Sequence, residues 1–168
     1  MNVTNIAEEL ENSHQRVLQV LNDLPESEWD VPGVSGEWSV KDVVAHLTSY
    51  ELALLDALAT FKGQEPTPYV RRLFAAPEEF DAAGVEARRY HTAQQVMDEY
   101  QDAQLRSSSV LASLPAAQVY EPGRLPWYRK DASLADLIHR FSAHTREQSE
   151  RIARFHHRED TQGPSSAV

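Results

Sequence analysis

Apolar residues recur along the first part of this chain at intervals of three and four, which is the spacing of one face of an α-helix. The first such face ends at a proline and consists of Ile6, Leu10, Val17, Leu21 and Leu24. The second ends before a glycine and consists of Val40, Val43, Leu47, Tyr50, Leu54, Leu58 and Phe61. Alternation of apolar and polar residues, the mark of a strand, is scarce. The pattern therefore predicts an all-α protein.

Two further long helices are predicted in the second half of the chain. The third covers about residues 86–114, and the fourth covers about residues 133–158. Three prolines divide residues 64–85 into short helical pieces. The polar residues 159–168 are expected to form a disordered tail, so the predicted domain is residues 1–158.

The second and fourth predicted helices begin with the same signal. Ser39 is followed by Asp42 and Ser133 by Asp136, which resembles a capping box with Asp in the usual Glu position. Each signal follows a helix that ends in Leu-Pro and a connection that contains Trp, Gly and Pro. Two helical hairpins of this kind predict an up-down-down-up four-helix bundle with a long crossover between the halves.

Composition excludes several classes of function. The chain has 168 residues, with 16 Lys and Arg against 26 Asp and Glu, so its net charge is −10. An acidic surface repels phosphate backbones and anionic lipid, so we expect neither a nucleic-acid nor a membrane partner. The lack of cysteine excludes disulfides, zinc–thiolate sites and a thiol nucleophile from the chain itself. With no signal-peptide pattern and no apolar run of about 20 residues, a cytoplasmic protein is expected.

Histidines carry the candidate chemistry. His46 lies beside the apolar face of the second helix, and His144 lies on the inner side of the fourth, one turn before Gln148. Imidazoles from facing helices can converge in a bundle core, where such groups form metal sites. A histidine in this position is more often a hydrogen-bonded core residue, so both alternatives stay open. His14, on the apolar face of the first helix, is expected to be a core or boundary residue.

Two segments resemble a known family. Residues 33–51, GVSGEWSVKDVVAHLTSYE, resemble the helix 2 signature of the DinB-like (YfiT-like) metalloprotein superfamily, and residues 144–152, HTREQSERI, are similar to its helix 4 motif. That superfamily includes bacillithiol- and mycothiol-dependent enzymes and the mycothiol-dependent maleylpyruvate isomerases. Together with PGRLPW before the fourth helix, the first segment also resembles the DfsB/ClbS branch, which includes a self-protection enzyme that opens a reactive cyclopropane.

The resemblance implies three metal ligands, which fall on His46, His144 and Gln148. The third departs from the family's usual histidine, and an amide oxygen is a weaker donor to Zn or Ni than imidazole. Glu51 would support His46 from the outer shell. The resemblance further implies that a divalent metal, Zn or Ni, activates a low-molecular-weight thiol such as mycothiol, bacillithiol or glutathione.

Three functions remain open on these grounds. The first is a metal- and thiol-dependent S-transferase or detoxification enzyme with a small-molecule substrate. The second is a metal-independent hydrolase or sequestering protein, in which Gln148 orients water or substrate and Tyr50 and Trp38 form pocket walls. The third is a non-enzymatic helical module. A homodimer is expected in each case, because two-fold dimers are the commonest soluble oligomers.

Overall fold

Seven α-helices account for most of the computed structural model, which describes residues 3–65 and 67–161. They are α1 (Val3–Asn22), α2 (Val40–Ala59), α3 (Pro68–Ala75), α4 (Pro77–Ala87), α5 (Ala93–Ser113), α6 (Ala116–Tyr120) and α7 (Leu134–Thr161). Short 3-10 turns lie at Glu26–Glu28 and Thr60–Lys62. The described residues contain no strand, so the all-α prediction is confirmed.

Reciprocal capping boxes begin α2 and α7, as the sequence predicts. Ser39 Oγ accepts a hydrogen bond from the Asp42 backbone N–H (3.2 Å), and Asp42 Oδ2 accepts one from the Ser39 N–H (3.1 Å). Ser133 and Asp136 exchange the same two bonds, at 3.1 and 2.9 Å. Each box satisfies two backbone N–H groups that a helix start leaves without a partner.

The third long helix begins later than predicted, at Ala93 instead of about residue 86. Residue 86 belongs to α4, and a turn separates α4 from α5. Thr92 and Gln95 form a further capping box at the start of α5 (3.1 and 2.8 Å). Residues 86–92, EARRYHT, contain neither proline nor glycine, so the sequence lacked the usual signal for the break between the two helices.

The four long helices pack as a ring. The closest packing joins α2 with α5 and α1 with α7, and α1 also contacts α5 while α2 contacts α7. The pairs predicted as hairpins, α1 with α2 and α5 with α7, are therefore not the closest neighbours. Connections over residues 23–39 and 114–133 are long enough to carry the chain across the ring.

Two apolar cores fill the ring, and a layer of polar side chains lies between them. One core surrounds the second half of α2 and the first half of α7, and the other surrounds the opposite halves. The polar layer crosses all four long helices and consists of the buried residues Ser13, His14, His46, Thr48, Ser49, Glu51, Gln104, Ser107, Ser142, Thr145, Gln148 and Ser149, with the partly buried His144. Buried polar groups are normally hydrogen-bonded, and those without a partner often mark functional sites. We therefore look for a functional site in this layer.

The crossover between α2 and α5 covers part of the polar layer. Helix α4 packs against α2 and buries Phe80 there. A Cβ on Gly84 would overlap Ser49 Oγ, so a larger residue there would force Ser49 or α4 to shift. Buried Arg88 then joins the end of α4 to Glu99 of α5 (2.6 Å).

The ends of the chain bear on two further expectations. Helix α7 continues to Thr161, three residues beyond its predicted end, while the rest of the predicted tail, residues 162–168, lies outside the described residues. Among the described helices, none has both the length and the apolar character that a membrane span requires.

Candidate metal centre

His46 of α2 and His144 of α7 meet in the polar layer. Their Nε2 atoms are 3.0 Å apart, and the ring planes are inclined at 74°. His46 is only 3 % exposed. The structure therefore brings together the two histidines that the sequence places on facing helices, and we call them the histidine pair. Their role as metal ligands stays a prediction.

Two aromatic side chains and one carboxyl group surround the histidine pair. Tyr50 stacks on His144, with ring centroids 4.2 Å apart and planes at 16°. Trp38 lies against His46 at a centroid distance of 5.1 Å. Asp81 of α4 approaches from the crossover, with its Oδ1 3.3 Å from His46 Nδ1, and the Tyr50 hydroxyl donates a hydrogen bond to the Asp81 carboxyl group.

Burial controls the protonation of these groups. It lowers the pKa of His46 to about 3 and that of His144 to about 4, with a further lowering from the positive charge of Arg151. Both imidazoles are therefore neutral at pH 7, and neutral imidazole is the form that binds metal ions. Burial also raises the pKa of Asp81 to about 6 and, together with that carboxylate, the pKa of Tyr50 to about 12.

Several polar atoms of the polar layer and of Asp81 are buried without a hydrogen-bond partner. They include both Nδ1 atoms of the pair, Asp81 Oδ1 and Gln148 Oε1. The 3.3 Å contact between His46 and Asp81 lacks hydrogen-bond geometry and joins a neutral ring to a carboxylate, so it is not an ion pair. Unsatisfied buried atoms are rare in folded proteins and call for a water or an ion.

Two imidazoles and the amide of Gln148 are the groups that could bind a divalent metal here. With Zn–N bonds of about 2.0–2.1 Å in tetrahedral geometry, two ligand nitrogens lie about 3.3–3.4 Å apart. The Nε2 separation of 3.0 Å is slightly shorter and is that of a hydrogen bond between the two rings. Gln148, one turn beyond His144, supplies an unpartnered carbonyl oxygen. Within residues 3–65 and 67–161 no group of three or more His, Cys, Asp or Glu side chains is arranged to hold a metal ion.

Glu51 does not support His46, contrary to the expectation. Its carboxyl group contacts His14 Nε2 (2.5 Å) and accepts a hydrogen bond from Ser107 Oγ (3.0 Å). A spacing of five residues corresponds to about 500° of helix rotation, which places Glu51 about 140° away from His46 around α2. His14 is fully buried, as predicted.

Asp81 is the site residue that sequence reasoning missed. It lies in the irregular crossover, and only the docking of α4 on α2 brings it to His46. One signal in the sequence could have indicated it. Asp81 directly follows Phe80, a large apolar residue whose burial determines which face of α4 packs against α2.

An all-helical fold with two facing, neutral histidines defines a helical protein with a candidate metal centre. The sequence profile of the DinB superfamily matches residues 9–147, and the chain belongs to that superfamily. The match includes the histidine pair and ends one residue before Gln148. No curated protein and no solved structure matched the chain.

Proposed function

We propose that this protein is a metal-binding member of the DinB superfamily in which His46, His144 and Gln148 hold a divalent metal, Zn or Ni. The observation that carries the proposal is the pair of neutral imidazoles whose Nε2 atoms face each other at 3.0 Å inside the polar layer. The unpartnered oxygen of Gln148 supports it. The four long helices would then form the family's up-down-down-up bundle.

The surrounding side chains prepare the histidine pair for this role. Tyr50 stacking fixes the ring of His144, and Trp38 shields His46 from water. Asp81 lies beside His46 Nδ1, where a carboxylate orients a liganding imidazole through its second nitrogen. A bound divalent metal would supply Lewis-acid chemistry, lowering the pKa of a water or thiol ligand.

The reaction class that we propose is thiol-dependent transfer to, or detoxification of, an electrophilic small molecule. The chain has no cysteine, so the sulfur nucleophile must arrive on a low-molecular-weight thiol cofactor. Thiolate is the reactive form, and a Lewis acid increases its share at neutral pH. A homodimer and a cytoplasmic location remain part of the proposal.

Metal content tests the proposal directly. Untagged protein is reconstituted with Zn or Ni, freed of excess metal and analysed by mass spectrometry, beside the variants His46→Ala and His144→Ala. His139→Ala is the matched control, because His139 is 69 % exposed and pairs with Glu9 on the surface. We expect about one metal per wild-type and control chain and none in the other two. Equal metal content in all four proteins would overturn the proposal.

The third ligand has its own test. Gln148→His replaces the amide oxygen with the imidazole that the resemblance implies, so it should lower the dissociation constant for Zn at least tenfold. Gln148→Ala should raise that constant. Competition with a chromophoric chelator measures both changes, and identical affinities in the three proteins would remove Gln148 from the ligand set.

A second candidate function is metal-independent acid–base catalysis by the same residues. The observation that favours it is the Asp81 carboxyl group, whose pKa of about 6 suits proton transfer near neutral pH. Consumption of an electrophile that survives chelation and is lost in Asp81→Asn would support this function. Loss of activity on chelation would favour the metal centre, and no activity under either condition would leave the non-enzymatic helical module.

A further inference from the structure

A basic cleft lies beside the second half of α7. Its volume is about 580 Å³, and it is lined by Val34, Arg151, Ala153, Arg154, His157 and Arg158. None of these residues is acidic, although the whole chain carries a net charge of −10. A concentration of positive charge in an acidic protein indicates a local preference for anions.

The contacts around the cleft hold part of this charge in place. Arg151 donates one hydrogen bond to Ser35 Oγ (2.6 Å) and another to Glu147 Oε1 (2.9 Å). The next carboxylate along α7, Glu150, is bound by Arg16 at 2.8 Å. Arg154 is exposed at the cleft, and its charge helps to lower the pKa of Glu150, one turn before it on α7. One guanidinium is therefore oriented in advance, and a second faces the cleft.

The cleft adjoins the histidine pair through the turn at residues 33–38. Ser35 at one end of this turn binds Arg151, and Trp38 at the other end lies against His46. The charge of Arg151 also reaches the histidine pair, because it lowers the pKa of both rings. A molecule held in the cleft would thus be separated from the histidine pair by a single turn of chain.

We propose that this cleft binds the carboxylate or phosphate group of a small anionic molecule, and that the substrate or thiol cofactor of the histidine site is therefore an anion. The volume lies within the usual range for small-molecule sites, about 300–1,000 Å³. Guanidinium groups bind carboxylate and phosphate through paired hydrogen bonds. The net negative charge disfavours a long polyanion at the same place. The second half of the proposal rests on the proposed function, whereas anion binding does not.

Titration by nuclear magnetic resonance tests the cleft with two probes, inorganic phosphate and succinate, at constant ionic strength in chloride. We expect saturable shifts concentrated in residues 33–38 and 150–158. Arg154→Gln should raise the dissociation constant at least tenfold. Arg106→Gln is the matched control, because Arg106 is exposed on α5 and pairs with Asp102. Its dissociation constant should equal that of the wild type.

The pattern of outcomes separates this proposal from the metal centre. Saturable binding of either probe that is weakened in Arg154→Gln but not in Arg106→Gln supports the cleft, and the tighter probe tells phosphate from carboxylate. Shifts that never saturate, or that change equally in both variants, overturn it. Anion binding should persist in His46→Ala, so failure of the metal test leaves the cleft standing, and failure of the anion test leaves the metal centre standing.

Discussion

Two histidines of the polar layer, His14 and His46, have opposite surroundings. His14 is fully buried and faces a carboxyl group, with Glu51 Oε1 at 2.5 Å from its Nε2. His46 is almost as buried but faces a second imidazole, with His144 Nε2 at 3.0 Å. The partner of His14 is therefore a carboxyl group, and the partner of His46 is a second imidazole.

The groups around each ring indicate a structural role for His14 and a functional role for His46. Around His14, the Glu51 carboxyl group is also bound by Ser107, so the acid has two donors from two other helices. Around His46, one imidazole of the pair has to donate its Nε2 proton to the other, and both Nδ1 atoms and Asp81 Oδ1 have no hydrogen-bond partner. His14 has one such atom, its own Nδ1. Groups that are left unsatisfied and share a proton are typical of functional sites.

The largest expected effect is the loss of stability when His14 is replaced. His14→Ala leaves the Glu51 carboxyl group buried with Ser107 as its one remaining contact, and loss of one partner of a buried pair costs about 3–5 kcal/mol. His46→Ala should cost less, because it leaves no carboxylate without its partner. Urea unfolding of both variants in the presence of a chelator measures the difference. A larger loss in His46→Ala would contradict the structural role of His14.

The next effect is the stabilisation of the folded protein by Zn bound at the histidine pair. Zn at about 100 times its dissociation constant should raise the free energy of unfolding by about 2.7 kcal/mol, because the ion binds the folded state alone. The increase should be absent in His46→Ala and present in His139→Ala. Thermal unfolding with and without Zn measures it, and an unchanged increase in His46→Ala would place the ion elsewhere.

A change in the crossover should affect the two regions differently. Gly84→Ala forces α4 away from Ser49 and should cost about 1–3 kcal/mol, as other overpacked contacts do. Because α4 carries Asp81, the contact with His46 should be disturbed while the His14–Glu51 contact stays intact. Adding Ser49→Ala removes the overlapping Oγ and should restore part of the stability. Urea unfolding of the single and double variants checks this coupling, and purely additive losses would contradict it.

The last effect accumulates over several pH units and is the dependence of stability on pH in chelated protein. Both histidines of the pair have a folded-state pKa below the unfolded value of 6.5, so below pH 6.5 the unfolded chain binds protons that the folded chain does not. Their contribution is complete above pH 6.5 and is lost towards pH 4, at about 1.4 kcal/mol per pH unit for each ring. Denaturation at a series of pH values measures the slope, which His144→Ala should reduce.

Asp81 opposes this trend and provides the control. Its pKa is raised from 3.8 to about 6, so between these values the folded chain binds the extra proton and gains stability as the pH falls. Asp81→Asn should therefore steepen the loss between pH 6 and pH 4. A shallower slope in this variant would show that Asp81 does not titrate beside His46 as the structure indicates.

The parts of the molecule that follow from local rules were predictable from the sequence. The Ser39–Asp42 and Ser133–Asp136 boxes require only a spacing of three residues, and helical periodicity was enough to place His46 and His144 on facing surfaces. The position of Asp81 was not predictable, because it depends on how a short helix docks across a proline-rich crossover. The expectation that Glu51 supports His46 was wrong because residues five apart in a helix point in directions about 140° apart, although they are close in sequence.

The two capping boxes also determine where the gene tolerates insertions and deletions. His46 lies seven residues after Ser39, and His144 lies eleven after Ser133. At about 100° per residue these intervals are close to two and three complete turns, so each imidazole projects from nearly the same side of its helix as its capping serine. One residue added between a cap and its histidine would rotate that ring by about 100° and separate the pair. Residues added before either serine would lengthen a connection and leave the pair in phase, so length variation among homologues should collect upstream of the two serines.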